Sequence, residues 1–219
     1  GIRGNAFLFD DAFGSYLQYV SPEDEDTGLP IANAPSWTIM FWVNAEYPID
    51  GQTDRRAFSE SSSSSDDPLV NIGTHNAGTD GTVDIYIRNG GAQVNHAHSS
   101  TEAYDGTWRQ IALVDDDGTL NLYIDGALDW TQDYTRGAAP YNITSVGAIV
   151  RGADLSNVQY FFTGTIDEVA VWERALSPEE IQDVKDNGIQ LPVPVFAPAI
   201  IEQPKGNTEL VETDSYTMS

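Results

Sequence analysis

Trp108-Arg109-Gln110-Ile111-Ala112-Leu113-Val114-Asp115-Asp116-Asp117-Gly118-Thr119-Leu120-Asn121-Leu122-Tyr123-Ile124-Asp125-Gly126 is the stretch whose reading decides the fold class. Leu120, Leu122 and Ile124 recur with a period of two, which places their side chains on one face of an extended strand. An apolar run, Ile111–Val114, precedes them, and Asp115-Asp116-Asp117-Gly118 separates the two segments. A tight turn between paired strands needs residues that tolerate positive φ, and Asp-Gly is such a pair. Asp125-Gly126 repeats the device one strand later. Two hairpins in succession, with no room for a helix between them, point to an all-β protein.

The same pattern extends in both directions. Short apolar or alternating runs bounded by Gly, Asp, Asn and Pro predict strands near 6–9, 16–20, 37–45, 57–60, 69–73, 83–88, 92–98, 108–114, 120–124, 127–130, 143–149 and 164–172. So many short strands with no helices between them fit a two-sheet antiparallel jelly-roll sandwich and exclude a parallel α/β sheet. Residues 50–68, with Ser61 to Ser65 followed by Asp66-Asp67-Pro68, read as a polar, flexible loop or hairpin tip. One helix is predicted over 178–187, packed on the edge of the sandwich. Ser177 supplies the N-cap, Pro178 the first helical position and Glu180 the capping box, while Gly188 is placed for a left-handed C-cap. The sandwich therefore spans 1–188. Residues 189–199 read as a proline-spaced linker, and 200–219 as the truncated start of a following immunoglobulin-like module. The parent protein is expected to be modular.

The chain of 219 residues contains no cysteine, which excludes a disulfide framework, thiolate metal sites and a cysteine nucleophile. Its formal net charge is −24, and Lys185 and Lys205 are its only lysines. A field of that sign repels nucleic acid and anionic lipid and keeps a protein soluble in high salt. Secretion from a bacterium, marine or halophilic, is the expected setting. No apolar run approaches the roughly 20 residues of a membrane span. Gly1-Ile2-Arg3-Gly4 leads directly into a strand pattern, so the chain reads as a mature or excised segment.

Four segments carry a resemblance. Gly164-Thr165-Ile166-Asp167-Glu168-Val169-Ala170-Val171-Trp172, continuing through Glu173-Arg174-Ala175-Leu176 into the capped helix, resembles the closing motif of laminin G-like domains of the concanavalin A-like lectin/glucanase superfamily. Gly4-Asn5-Ala6-Phe7-Leu8-Phe9-Asp10 resembles the family's opening strand, with Asp11 where a glycine is usual. Ser36-Trp37-Thr38-Ile39-Met40-Phe41-Trp42-Val43 resembles its early core strand, and the 106–126 hairpin its central one. The resemblance covers about residues 4–188. Within the closing motif Ile166, Val169 and Val171 are expected to face the core, and Leu176 to tuck the chain under before the helix.

The resemblance implies a fold that hosts lectin-like modules, adhesion domains and glycosidases, so function must come from a site. It also implies a structural calcium, held by Asp167 of the closing strand with Asp10 or Asn5 from the N-terminal segment; calcium takes about 6–8 oxygen ligands. The acidic run Glu23-Asp24-Glu25-Asp26 is read as a solvated loop or as a second ion site. From the residues themselves, aromatic rings and polar groups on an outer sheet face suit a sugar. Alternation leaves Tyr86 and Arg88 outward, and Tyr123 opposite Leu122 and Ile124; Trp130 follows a turn in a polar setting. His96 and His98 share a strand face, as ligand contacts, metal ligands or plain outward polar positions. The expected ligand contacts are thus Tyr86, Arg88, Tyr123, Trp130 and His96. No Glu-x-Asp-x-Glu strand, G-x-S-x-G elbow or HExxH motif is present, so no catalytic residue is named.

The expected function is a non-catalytic carbohydrate-binding module of a larger secreted or cell-surface protein, with an extracellular polysaccharide or glycan and neighbouring modules as partners. A structural or adhesion spacer is the alternative, and a glycoside hydrolase or polysaccharide lyase a weaker one. The charge argues against a polyanionic ligand unless Arg55, Arg56, Arg88 or Arg109 cluster locally.

Overall fold

In the computed structural model, which describes residues 1–22, 25–47, 53–78, 80–137 and 139–190, the deciding hairpin forms as the sequence requires. Strands β8 (Asp105–Asp116) and β9 (Thr119–Ile124) pair antiparallel from Ile111 opposite Ile124 to Asp116 opposite Thr119. Asp117 and Gly118 turn the chain with φ of 49° and 91°, both in the left-handed region a two-residue hairpin loop demands. Asp125 and Gly126, with φ of 52° and 81°, do the same between β9 and β10 (Ala127–Asp133).

These three strands form half of one sheet. On the other side of β8 lies β3 (Ser36–Glu46), then β14 (Gly164–Trp172), then β1 (Phe7–Phe9). The second sheet runs in the order β2 (Leu17–Val20), β11 (Ile143–Val146), β4 (Arg56–Ser61), β5 (Leu69–Thr74), β6 (Thr82–Arg88), β7 (Ala92–Glu102). A separate two-stranded ribbon pairs β12 (Ile149–Val150) with β13 (Val158–Gln159). Every one of these pairings is antiparallel. The result is the expected two-sheet sandwich, and residues 1–189 form one compact unit.

The core follows from alternation. Trp37, Ile39, Phe41 and Val43 of β3 and Ile111 and Leu113 of β8 meet Val70 and Ile72 of β5 and Val83, Ile85 and Ile87 of β6. Each such side chain, taken fully from water, contributes about 1.5–3 kcal/mol before the entropy of ordering it. Several of the intervening residues of the first sheet do not reach solvent either. Met40, Ala112, Val114 and Tyr123 are covered by Leu176 and by Ile181 of the helix α1 (Pro178–Asn187). The helix therefore lies on the outer face of this sheet and not on its edge, because those four side chains offer it an apolar floor. Its capping box is complete, with Ser177 Oγ accepting from Glu180 N at 3.3 Å and Glu180 Oε2 from Ser177 N at 2.9 Å. Gly188 has φ 82° and ψ 175°, so it needs a glycine but is not the left-handed cap expected.

Other expectations need correction. The 143–149 strand breaks at Gly147 (φ 82°) into β11 and β12, and β13 was not anticipated. In β14 the register slips between Asp167 and Ala170, with Glu168 at φ 50°. That bulge leaves Val169 exposed, while Ile166 and Val171 keep their contact with the core. The serine run is anchored too: Ser61 ends β4 and its hydroxyl donates to Val150 O, and Ser63 N donates to Asn142 Oδ1 at 2.8 Å. The linker and immunoglobulin-like start, apart from 189–190, lie outside the described residues, as do Glu23 and Asp24.

One buried acid stands apart. Glu60 on β4 is fully enclosed and accepts hydrogen bonds from Thr27 Oγ1 at 3.0 Å and from Thr144 Oγ1 of the neighbouring strand. Burial pushes its carboxyl up to about 8, against the lowering effect of the two hydroxyls.

Candidate functional site

The outward positions of β6 are Asp84, Tyr86 and Arg88, because Val83, Ile85 and Ile87 point into the core. Asn71 of β5 lies directly opposite Tyr86. On the other flank β7 carries a bulge: Ala97 opposes Ile85 but Val94 opposes Ile87, so Asn95 and His96 together face Tyr86. His96 takes a left-handed φ of 52° there, and its ring stacks on that of Tyr86, 4.4 Å between centroids and 8° from parallel. His98 sits opposite Asp84, and its ring stacks on His75 at 3.8 Å.

Asp84 is completely buried and organises this face. Its oxygens lie 3.0 Å from His96 Nδ1 and 2.9 Å from His98 Nε2, and 4.0 Å from Arg56 Nη1. His98 Nε2 also lies 3.0 Å from Asn76 Oδ1. A carboxylate can only accept, so this network assigns the Nδ1 proton to His96 and the Nε2 proton to His98. Burial raises the Asp84 pKa, opposed by the charges of His96 and Arg56, the hydrogen bond from His96 and the charge of His98.

Above this face stands the ribbon of β12 and β13. It is pinned to β4 by the Ser61 hydroxyl on Val150 O, by Gly152 N on Ser62 O at 2.8 Å and by Arg56 N on Tyr160 O at 3.0 Å. Between ribbon and sheet lies a cleft of about 200 Å³, lined by Asp54, Arg56, Leu69, Asn71, Tyr86, Arg88, His96, Ile149, Arg151 and Tyr160. Arg56 is its floor. The guanidinium Nη1 is 2.6 Å from Asp54 Oδ1 and the group lies 5.2 Å from the centroid of Tyr160, yet its Nε has no hydrogen-bond partner among the described residues. Asn71 Oδ1 is likewise buried without a donor. Among the described residues six non-glycines hold positive φ, and three of them, Asp54 (62°), His96 (52°) and Tyr160 (56°), border this cleft. Such backbone strain, about 1–3 kcal/mol a residue, persists where the surroundings over-determine it, and clusters at functional sites.

Of the expected contacts, Tyr86, Arg88 and His96 thus meet in one cleft. Tyr123 does not: it points out of the sandwich as alternation requires, but α1 covers it. Nor does Trp130, because the register slips between Leu128 and Trp130 and brings Trp130 opposite Leu122, on the core face. Arg109 is held on the first sheet by Asp105 and by Asp125 at 2.7 Å, and Arg55 does not line the cleft. Of the four arginines weighed for a local cluster, Arg56 and Arg88 do meet here, while sequence reasoning missed Asp54, Arg151 and Tyr160, which only long-range pairing brings here.

Of the expected calcium ligands, Asp10 does not converge with Asp167. Phe9 pairs with Gly164 and Phe7 with Ile166, which sets Asp10 and Asp167 four positions, roughly 13 Å, apart along the ladder. Asp167 instead accepts from Ile2 N and from Glu168 N, each at 2.9 Å, and Asp10 caps the short 3-10 turn Asp11–Phe13 through Ala12 N at 2.8 Å; Asn5 is exposed. A different set could hold a metal ion: Asp54, Asp84 and His96 offer ligand atoms within 4.8 Å of one another. It fits poorly. The Arg56 guanidinium already stands against both carboxylates, and the imidazole nitrogen in the set carries a proton directed at Asp84. A carboxylate pair this close also invites a glycosidase reading, in which retaining enzymes use about 5–5.5 Å. Asp84 has no exposed surface to meet a glycosidic oxygen.

Residues 15–182 match the sequence model of the concanavalin A-like lectin/glucanase superfamily. The chain belongs to that superfamily. No curated protein is detectably similar in sequence. Among solved structures the superfamily sandwich resembles the native heptameric SAP-like pentraxin of Limulus polyphemus, at TM-score 0.63 and 16% identity, over 86% of this chain and 85% of that one. It also resembles domain 4 of the extracellular GH43 arabinanase AbnA of Geobacillus stearothermophilus, solved with arabinotriose (TM-score 0.55, 17% identity, 81% and 92% coverage). A third is the CBM40 of the Ruminococcus gnavus IT-sialidase, bound to α2,3 sialyllactose (TM-score 0.55, 16% identity, 77% and 98% coverage). At these identities the likeness is one of fold alone. Among the described residues no helix is long and apolar enough to cross a membrane.

Proposed function

We propose that the chain is a carbohydrate-binding module of a secreted or cell-surface protein, and that its ligand is an extracellular glycan seated in the cleft between β4–β7 and the β12–β13 ribbon. The observation that carries the reading is the convergence of stacked rings with unpaired polar atoms. The Tyr86–His96 stack leaves an outer ring face as an aromatic platform, and Arg56 Nε and Asn71 Oδ1 lie buried behind it with no hydrogen-bond partner among the described residues. Pyranose rings stack on such platforms through their apolar faces while their hydroxyls take hydrogen bonds. Two of the solved neighbours, the arabinanase domain and the CBM40, carry sugars in their own structures.

This mode of binding does not call for calcium in the cleft. Asp167 and Asp10 accept from backbone N–H groups, and the Asp54–Asp84 pair has Arg56 as its cation.

The test is a glycan array probed with the wild-type chain and with Tyr86→Ala. Binding to a defined set of glycans, lost in the variant while its melting temperature holds, supports the reading; silence across the array sinks it. A second reading, an adhesion or spacer module, rests on the strip of exposed Phe7, Leu8, Phe13, Leu17 and Tyr19 near the N-terminus. It predicts that silence.

A further inference from the structure

The chain carries 34 acidic residues against 10 basic ones, of which eight are arginines. Three of those eight, Arg56, Arg88 and Arg151, line the one cleft. This concentration runs against the field of the whole molecule, so solubility gives no account of it. We infer that the cleft selects a sugar bearing an acidic substituent, a carboxylate or a sulfate, and that Arg151 and Arg56 are the groups that read it. The inference rests on the carbohydrate reading above and narrows it.

The three arginines are not equivalent. Arg88 is paired with Asp67 at 3.1 Å and is the most accessible of the pair it forms. Arg151 has no hydrogen bond or ion pair among the described residues, although it stands half-exposed on the ribbon at the mouth of the cleft. Arg56 is only 4% exposed, and its Nε is buried with no acceptor. A guanidinium enclosed in protein normally finds acceptors for its donors, because an unmade hydrogen bond to a charged group costs more than a neutral one. Asp54 meets one side of Arg56 and the ring of Tyr160 another. These hold the planar fork in place without satisfying Nε.

The counter-charges agree. Asp54 stands against Arg56, Asp67 against Arg88, and Asp84 is fully buried beneath His96 and His98. Arg151 is then the charge left over. A planar guanidinium recognises a carboxylate or sulfate through parallel N–H bonds, a geometry that a neutral hydroxyl cannot match. Dense polyanions are nevertheless opposed by the net charge of −24. The fitting ligand carries isolated acidic groups, each able to enter the cleft singly.

Affinity electrophoresis of the intact chain decides the matter, run in gels holding matched polysaccharides. One pair is a partially esterified polygalacturonate and its carboxyl-reduced counterpart; the other is a sparsely sulfated galactan and its desulfated form. Retardation by the acidic member of either pair, lost on reduction or desulfation, is the expected result, and the responding pair tells carboxylate from sulfate. Arg151→Ala should weaken that retardation about tenfold or more, as expected for one charge-assisted bond, and Arg151→Lys should restore part of it. Since Arg151 has no partner among the described residues to leave unpaired, the melting temperature of the Arg151→Ala chain should not move. Equal retardation by neutral members, or an unchanged Arg151→Ala, overturns the inference and leaves the carbohydrate reading standing. Neutral binding on a glycan array with no acidic hit overturns it in the same way, whereas no binding to any glycan fells both.

Discussion

The rings of Tyr86 and His96 lie 4.4 Å apart and 8° from parallel, although the two residues belong to different strands and His96 sits on a bulge. A regular β7 could not put that ring there. The extra residue and the positive φ of His96 turn the imidazole over the phenol.

That pairing yields the first prediction. Tyr86→Phe keeps the stack and should bind glycan within a few-fold of wild type. Tyr86→Ala should lose binding by about 10–100-fold, since a well-placed aromatic contact is worth about 1–3 kcal/mol. Both should fold, because Tyr86 is half-exposed. Isothermal titration against the best array glycan, with circular dichroism of each variant, checks this.

Glu60 gives a prediction about pH. Its carboxyl is raised from an ordinary 4.5 to about 8 in the folded chain, with burial as the leading cause. Between those values the native state holds a proton that the unfolded chain has lost, so stability falls as pH rises. The contribution is full below pH 4.5 and gone above pH 8. From pH 5.5 to 8 the loss from this group is up to about 3 kcal/mol, at about 1.4 kcal/mol per unit. Glu60→Gln should flatten that slope and leave the chain more stable than wild type at pH 8.5. Urea unfolding across the range reads both effects, and a wild type equally stable at both ends would refute them.

How far the sequence speaks is itself a matter of locality. Turn chemistry and alternation lie within a few residues of each other, so the hairpins at 117–118 and 125–126 and the inward face of β6 could be read directly. Tyr86 and Arg88 came with that face. Bulges were silent. A single extra residue in β10 turned Trp130 inward, one in β14 exposed Val169, and neither leaves a mark in composition. Parity placed Tyr123 on the outer face of its sheet, but parity says nothing about what covers that face, and α1 does. The arginines of the cleft come from 56, 88 and 151, joined by strand pairing and by the ribbon's contacts with β4. No window of sequence contains them together.

The helix cover leads to a third prediction. Ile181 is fully buried against Met40, Ala112, Val114 and Tyr123. Ile181→Ala should cost about 2–5 kcal/mol and expose Tyr123, while glycan binding by the folded fraction stays unchanged because the cleft lies on the other sheet. Differential scanning calorimetry and titration separate the two. A matching fall in affinity below the transition would place Tyr123 back in the site.

Metal dependence can be decided in one melting experiment. Asp167 accepts from Ile2 N and Glu168 N, and Asp54 and Asp84 already face Arg56. A chelator should therefore leave the melting temperature where it was, and millimolar calcium should not raise it. A bound ion stabilises by mass action, so even a site of modest affinity would show as a shift of several degrees. Such a shift would restore the ion and require the carboxylates to rearrange around it.

Asp84 is the residue on which the cleft depends without offering it a contact. It is wholly buried, with His96, His98 and Arg56 all directed at its oxygens. Removing one member of a buried charged network leaves the others uncompensated, which costs about 3–5 kcal/mol. Asp84→Ala should therefore be destabilised by that amount. Asp84→Asn keeps the shape and one acceptor, and should lose less. Its amide, however, must point a donor at one of two imidazoles that already donate, so one ring has to turn. If the turned ring is His96, the stack on Tyr86 opens, and binding falls in a protein that still melts cooperatively. Proton–nitrogen spectra of the histidine side chains would report the tautomer change directly. Unchanged imidazole signals together with unchanged affinity would show that Asp84 supports the fold and leaves the cleft indifferent to its charge.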